Sequence, residues 1–264
     1  MLKIFENEQL VAEAIAKEMQ RALTVENPVF CLASGSTPAK SYDLFAQDSK
    51  DNPLIKALKI VSLDEWVGIG ASTVGSCYQM LDQDLFQKIN LKSDQIVFFD
   101  GTATDLEAEC AQIDDFIAQN PITFSLMGVG MNGHIGLNEP GAQTTLDSSG
   151  VVKLSETTKE VAQKYFEKEM TLEEGITLSV EQLLDSEKVI VVITGEHKAD
   201  IVKDIFSDKL RGEYPREIFP REKFPLPAQR FLKSESGRFE HVDFYLDQAA
   251  AKYLDEGVLL EYGF

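Results

Sequence analysis

Cysteine is scarce in this chain. The three present, Cys31, Cys77 and Cys110, lie far apart, with neither the paired spacing of a disulfide framework nor that of a zinc site. That usage fits a reducing, cytoplasmic setting. Positive charge is also short: 25 lysines and arginines face 44 aspartates and glutamates, for a net charge of -19. Nucleic acid and anionic membrane surfaces both call for a basic face, so neither is an expected partner. A phosphorylated small molecule stays compatible, provided one pocket gathers some of the few cations. No apolar run approaches the ~20 residues of a membrane span. Met1 to Leu23 sets Glu6, Glu8, Glu13 and Glu18 among spaced apolar residues, which predicts an amphipathic helix and not a signal peptide.

What the chain does have is enough apolar content, 44% of 264 residues, to bury one large core. Buried-strand runs recur at Val29 to Ala33, Leu58 to Leu63, Ile122 to Met127 and Val189 to Thr194. Helical patterns lie between or after them, at Pro38 to Ala46, Leu106 to Ala118 and Ala199 to Leu210. The alternation predicts a single α/β domain over residues 1–264, with a mostly parallel sheet covered by helices. Tyr214 to Pro227, with four prolines and alternating charges, reads as a surface excursion within that domain.

Each apolar run ends in a polar loop, and loops at equivalent strand ends can converge on one pocket. In Ser34-Gly35-Ser36-Thr37-Pro38, small residues let backbone N–H groups face an anion at a helix start, with Pro38 in its first turn. From these residues alone the loop reads equally as a phosphate cradle and as a capped strand-to-helix turn. Asp64, beside Glu65 and Trp66, could be a partly desolvated carbon-acid base, although a helix cap or solvated turn fits these residues better on their own. Gly128-Val129-Gly130-Met131-Asn132-Gly133-His134-Ile135-Gly136-Leu137-Asn138-Glu139-Pro140 sets an imidazole, an amide and a carboxylate in a glycine-rich loop. That combination points to proton transfer by His134, held by Asn132 or Glu139, ahead of a purely structural histidine. No second histidine or cysteine stands at metal-ligand spacing, so no metal is expected. Lys198, after Gly195, and Lys164 could supply positive charge, though most lysines are solvated surface residues.

Taken in order, these loops resemble the glucosamine-6-phosphate deaminase (isomerase) family, with its galactosamine-6-phosphate and 6-phosphogluconolactonase relatives. The resemblance runs from the N-terminal helix to about Phe206. It rests on Ser34-Gly35-Ser36-Thr37-Pro38, on Leu63-Asp64-Glu65-Trp66-Val67-Gly68 for the family's Asp-Glu-Tyr-Val-Gly, and on His134-Ile135-Gly136-Leu137-Asn138-Glu139-Pro140 for its Gly-His-Ile-x-x-Asn-Glu-Pro. It implies an open, Rossmann-like sheet with helices on both faces. Asp64 would be the base moving a proton between sugar carbons 2 and 1, His134 the ring-opening acid/base and Glu139 its carboxylate partner. Ser34 to Thr37 and Lys198 would bind the substrate phosphate, and Lys164 falls near a phosphate-binding arginine. The implied reaction converts a hexosamine 6-phosphate into a ketohexose 6-phosphate and ammonia without organic cofactor. The oligomeric state stays open, a homo-oligomer included.

Several positions depart from the family pattern. Asn132 stands where many members carry Asp, which leaves more of the work of holding His134 to Glu139. Trp66 replaces the usual Tyr, Gly75-Ser76-Cys77-Tyr78 stands near a Ser-Tyr pair, and Ser148 to Val152 lack the basic residues of the family's allosteric pocket. The Trp66 and Cys77 variants resemble the galactosamine-6-phosphate branch. Two other readings remain: a 6-phosphogluconolactonase, which would use the same phosphate site and histidine for water attack on a lactone, and a non-catalytic sugar-phosphate sensor.

Overall fold

The computed structural model describes residues 1–141, 146–207, 226–232 and 239–263. Among these residues the strands are β1 (Leu2–Phe5), β2 (Val29–Leu32), β3 (Lys59–Ser62), β4 (Asp64–Trp66), β5 (Ile96–Val97), β6 (Phe124–Gly128), β7 (Gly150–Lys153), β8 (Glu174–Thr177), β9 (Val189–Ile193) and β10 (Val242–Asp247). The α-helices are α1 (Glu8–Ala22), α2 (Ser36–Ser49), α3 (Cys77–Leu81), α4 (Leu106–Gln119), α5 (Glu156–Ala162), α6 (Val180–Leu184), α7 (Ala199–Phe206) and α8 (Glu256–Tyr262). Seven strands form one all-parallel sheet in the order β1-β10-β9-β6-β2-β3-β5.

The apolar runs become strands because both faces of this sheet are covered. Along a strand successive side chains alternate sides. Phe30, Leu32, Phe124, Leu126, Ile190 and Val192 join Ile15, Met19, Tyr42 and Phe45 of α1 and α2 in one core. Their neighbours Val29, Cys31, Met127, Val189, Val191 and Ile193 join Ile113, Val202 and Ile205 of α4 and α7 in the other. Strands buried on both faces must be apolar throughout, which is the pattern of β2 and β9.

Two expectations need correction. The N-terminal segment is not one helix: Leu2–Phe5 is an edge strand paired with β10, in register Leu2 with Phe244. The helix starts only after Asn7, whose side chain accepts a hydrogen bond from the Leu10 N–H and caps α1. The second correction adds a small antiparallel sheet, β4-β8-β7, whose side chains pack around Trp66, Leu137, Val152, Leu154 and Leu172. Of the segment read as a surface excursion, residues 214–225 lie outside the described residues, as do residues 208–210 of the expected helix after Ala199; α7 ends at Phe206. Among the described residues no helix is long and apolar enough to cross a membrane.

Strand order locates the site. From β2 the chain steps to β3 and β5 on one side, then returns to place β6 against the other side of β2. The loops leaving β2 and β6 therefore diverge at their carboxyl ends and open a crevice, the position at which open parallel sheets bind ligands.

Candidate active site

That crevice holds a cavity of about 330 Å³, and the four polar loops do meet in it. Ser34, Ser36 and Thr37 line it from the loop after β2, Asp64 and Trp66 from β4, Gly130 and His134 from the loop after β6, and Lys198 from the turn after β9. Lys164 reaches it from the segment after α5. Gly35, Asn132 and Glu139 stand behind the wall.

Gly35 serves through its backbone: at φ 97° it caps α2 in a conformation few other residues adopt, and a Cβ there would come within 2.9 Å of the Tyr165 hydroxyl. The start of the 14-residue α2 thus faces the cavity with its free N–H groups, Ser36 and Thr37. Cations gather at this end. Lys198 donates to the Val129 carbonyl at 2.6 Å, and burial, then the nearby Lys164, bring its ammonium down to about 8. Lys164 lies 4.8 Å from the Tyr165 ring centroid. An acidic protein here sets two of its few cations beside a helix start.

Asp64 and Glu65, adjacent in sequence, have separate tasks because neighbours in a strand point to opposite sides. Asp64 is buried but lines the cavity, and burial pushes its carboxyl up to about 7, with Glu65 adding to the rise and a Cys77 hydrogen bond opposing it. Glu65 turns away, fully buried, and accepts from the Ser76 hydroxyl at 2.7 Å and from the N–H groups of Trp66, Cys77 and Tyr78 at 2.8, 3.0 and 3.0 Å. It ties the start of α3 to β4, and so sets Cys77 against Asp64.

His134 is held by a chain of side chains. Asn132 donates to Glu139 Oε2 at 2.7 Å and to the Ser155 hydroxyl at 3.0 Å, which turns its carbonyl oxygen toward His134 Nδ1 at 2.8 Å. An oxygen at that nitrogen calls for the proton on Nδ1 and leaves the lone pair on Nε2. Thr158 Oγ1 lies 3.1 Å from the same Nδ1, and the Ser155 N–H donates to Glu139 Oε1 at 3.0 Å. Glu139 therefore acts on the imidazole mostly through Asn132; its nearer oxygen is 3.8 Å from Nδ1. Burial pushes the imidazole down to about 4, against the pull of Glu139 and with the push of Lys198. Gly130 allows the ring its place, since a Cβ there would stand 2.1 Å from His134 Cε1.

The residues to which the sequence assigns no role are Ser155 and Thr158 from the start of α5, Cys77, and His197. Ser155 carries a local signal, as the Ser that caps a helix by accepting from the Thr158 N–H, and His197 lies in the polar loop after β9. Chemically the cavity combines a cationic end, a carboxyl that is about half ionised near neutrality, and a neutral imidazole with a free Nε2.

A family profile described as glucosamine-6-phosphate isomerases/6-phosphogluconolactonase matches residues 6–231. The chain is similar to the glucosamine-6-phosphate deaminase of Halalkalibacterium halodurans, 30% identical over 216 residues that make up 80% of this chain and 86% of the relative. It is 35% identical over 189 residues to that of Listeria monocytogenes serovar 1/2a, covering 71% of this chain and 78% of the relative. Among solved structures, a monomeric glucosamine-6-phosphate deaminase superposes with a TM-score of 0.81 at 25% identity, over 96% of this chain and 99% of its own. A 6-phosphogluconolactonase from Leishmania guyanensis superposes with a TM-score of 0.72 at 19% identity, over 97% and 98%, a likeness of fold.

Proposed function

The chain belongs to the family of glucosamine-6-phosphate isomerases and 6-phosphogluconolactonases, and on that premise we propose that it is a hexosamine-6-phosphate deaminase, converting glucosamine or galactosamine 6-phosphate into a ketohexose 6-phosphate and ammonia. The observation that carries this reading is Asp64: a carboxyl at about 7, opening on the same cavity as a histidine and an anion site.

The phosphate docks at Ser36, Thr37, Lys164 and Lys198, which fixes the sugar with its reactive end toward Asp64 and His134. Neutral His134 takes the proton of the anomeric hydroxyl at Nε2 and returns one to the ring oxygen, so the pyranose opens to the aldehyde. The low basicity of this imidazole suits a shuttle: it starts neutral and gives its proton back readily. Ionised Asp64 then removes the proton from carbon 2, and the electron pair moves through carbons 2 and 1 to the carbonyl oxygen. The nitrogen lone pair forms the double bond to carbon 2 as the proton returns to carbon 1, one N–H proton passes to the carbon 1 oxygen, and water converts the resulting imine to ketone and ammonia. No organic cofactor enters this route. A lactonase would use His134 and the anion end but has no task for a carboxylate poised at about 7, and a sensor has none for either group.

Ammonia release from glucosamine and galactosamine 6-phosphates, with 6-phosphogluconolactone hydrolysis alongside, tests the reading. Ammonia from at least one epimer at a rate exceeding lactone hydrolysis supports it; lactone turnover without ammonia overturns it. Replacing Lys198 by alanine is expected to raise KM for the phosphorylated substrate roughly ten- to hundred-fold, the loss of one charge-assisted contact. The same sugar without phosphate should respond little, and equal losses for both in steady-state kinetics would place Lys198 outside the anion site.

A further inference from the structure

The three histidines differ in how they are held. His134 Nδ1 faces Asn132 and Thr158, and His241 Nε2 lies 2.8 Å from the Leu184 carbonyl oxygen. Among the described residues the nitrogens of His197 have no hydrogen-bond partner, yet His197 lines the cavity at its anion end, beside Lys164 and Lys198. Its seat is built. The turn Glu196–Lys198 begins at Gly195, where φ is 90° and a Cβ would stand 2.8 Å from the His197 ring. The Gly195 N–H is in turn bound by both carboxylate oxygens of buried Asp247, at 3.0 and 3.1 Å, at the carboxyl end of β10. An uncommitted imidazole is thus fixed at the mouth of a site already holding two ammonium groups.

We propose that His197 is a third cationic phosphate ligand of this cavity beside Lys164 and Lys198, one that takes up a proton from solvent as the dianion binds. The inference rests on the reading that this end of the cavity takes a phosphate. Lys198 of the same turn and Lys164 from the segment after α5 disfavour a charged ring, whereas Asp247 favours one; Glu196 is turned to Lys252 at 2.6 Å. Burial and the two lysines hold the free imidazole below its usual value. A bound dianion reverses that balance by neutralising both lysines and offering the ring an acceptor, so the ring's proton affinity rises when the site is occupied. The added affinity is then present at acid pH and fades as pH rises through the value of the bound state. Because the phosphate itself gains a proton in this range, near pH 6 for a monoester and about one unit higher for inorganic phosphate, the informative quantity is the ratio between two proteins at each pH, in which that titration cancels.

Calorimetric binding of inorganic phosphate to the whole protein, with His197→Gln and Lys198→Ala variants, tests this. His197→Gln should weaken binding about three- to ten-fold near pH 6, narrowing to less than about two-fold near pH 8, and should reduce proton uptake measured in buffers of different ionisation enthalpy. Lys198→Ala should weaken binding at both pH values. A His197→Gln protein that binds phosphate as tightly as the parent near pH 6, or shows the same ratio at both pH values, overturns the role of His197 while leaving the anion site intact if Lys198→Ala still loses affinity. If neither variant loses affinity, the anion site itself is misplaced, and the inference falls with it.

Discussion

Asp64→Asn is expected to lower kcat by about 10²- to 10⁴-fold, the range for removing a positioned general base, while substrate KM changes little because the phosphate anchors are untouched. The same substitution should make the protein more stable. Holding a carboxyl at about 7 instead of 3.8 costs the ionised form up to about 4 kcal/mol, at 1.36 kcal/mol per pH unit. A group whose folded value is raised binds more protons folded than unfolded, so stability falls as pH climbs from about 4 toward 7. Asparagine removes that cost, so the variant should melt higher at pH 8 than the parent and show a weaker loss of stability across that window. For activity the sign is opposite: the carboxylate is the working form, and kcat/KM of the parent, which follows the free enzyme, should fall as pH drops below about 7. A variant with near-parental kcat, or a parent whose kcat/KM is flat from pH 8 to pH 5, would remove Asp64 from the base role.

The second large effect belongs to His134. His134→Gln should slow turnover of the cyclic substrate about 10²-fold or more, while sparing carbon 2 proton exchange from an open-chain analogue, which bypasses ring opening. Glu139→Gln should follow in the same direction but more weakly, since Glu139 reaches the imidazole chiefly by way of Asn132. Kinetics on the paired substrates distinguishes this role from a general structural one. Equal slowing of both, or activity abolished by a chelator and restored by a divalent ion, would contradict it.

Much of this was legible in the chain because parallel strands buried on both faces leave uninterrupted apolar runs. β2, β3, β6 and β9 announced themselves so, and the polar loops after them marked the cavity. β5 has two residues, too short for a period to register, and β1, though as long as β2 and β3, is an edge strand whose apolar run is broken by Lys3. β4 was hidden for another reason: Asp64-Glu65-Trp66 does not look like a strand, and forms one only because β8 pairs with it, Asp64 opposite Thr177. That pairing also divides the two carboxylates, which the sequence presents as equivalent. The orienting set around His134 was half visible. Asn132 and Glu139 lie in the same loop, whereas Ser155 and Thr158 come from a helix start 21 and 24 residues beyond His134 and meet it only in the fold. His197 lies in the polar loop after β9, and its place at the cavity depends on Gly195 and on Asp247, which is 52 residues beyond Gly195 and holds the turn.

The central claim, that Asp64 moves a proton off carbon 2 as ammonia leaves, is tested most directly by following a deuterium placed at carbon 2 of the hexosamine 6-phosphate. The account predicts that the label leaves carbon 2 in step with ammonia, that the sugar product is a ketohexose 6-phosphate, and that Asp64→Asn suppresses label loss and ammonia release together. Ammonia released with the deuterium still at carbon 2, or label lost from the Asp64→Asn protein as fast as from the parent, would contradict it.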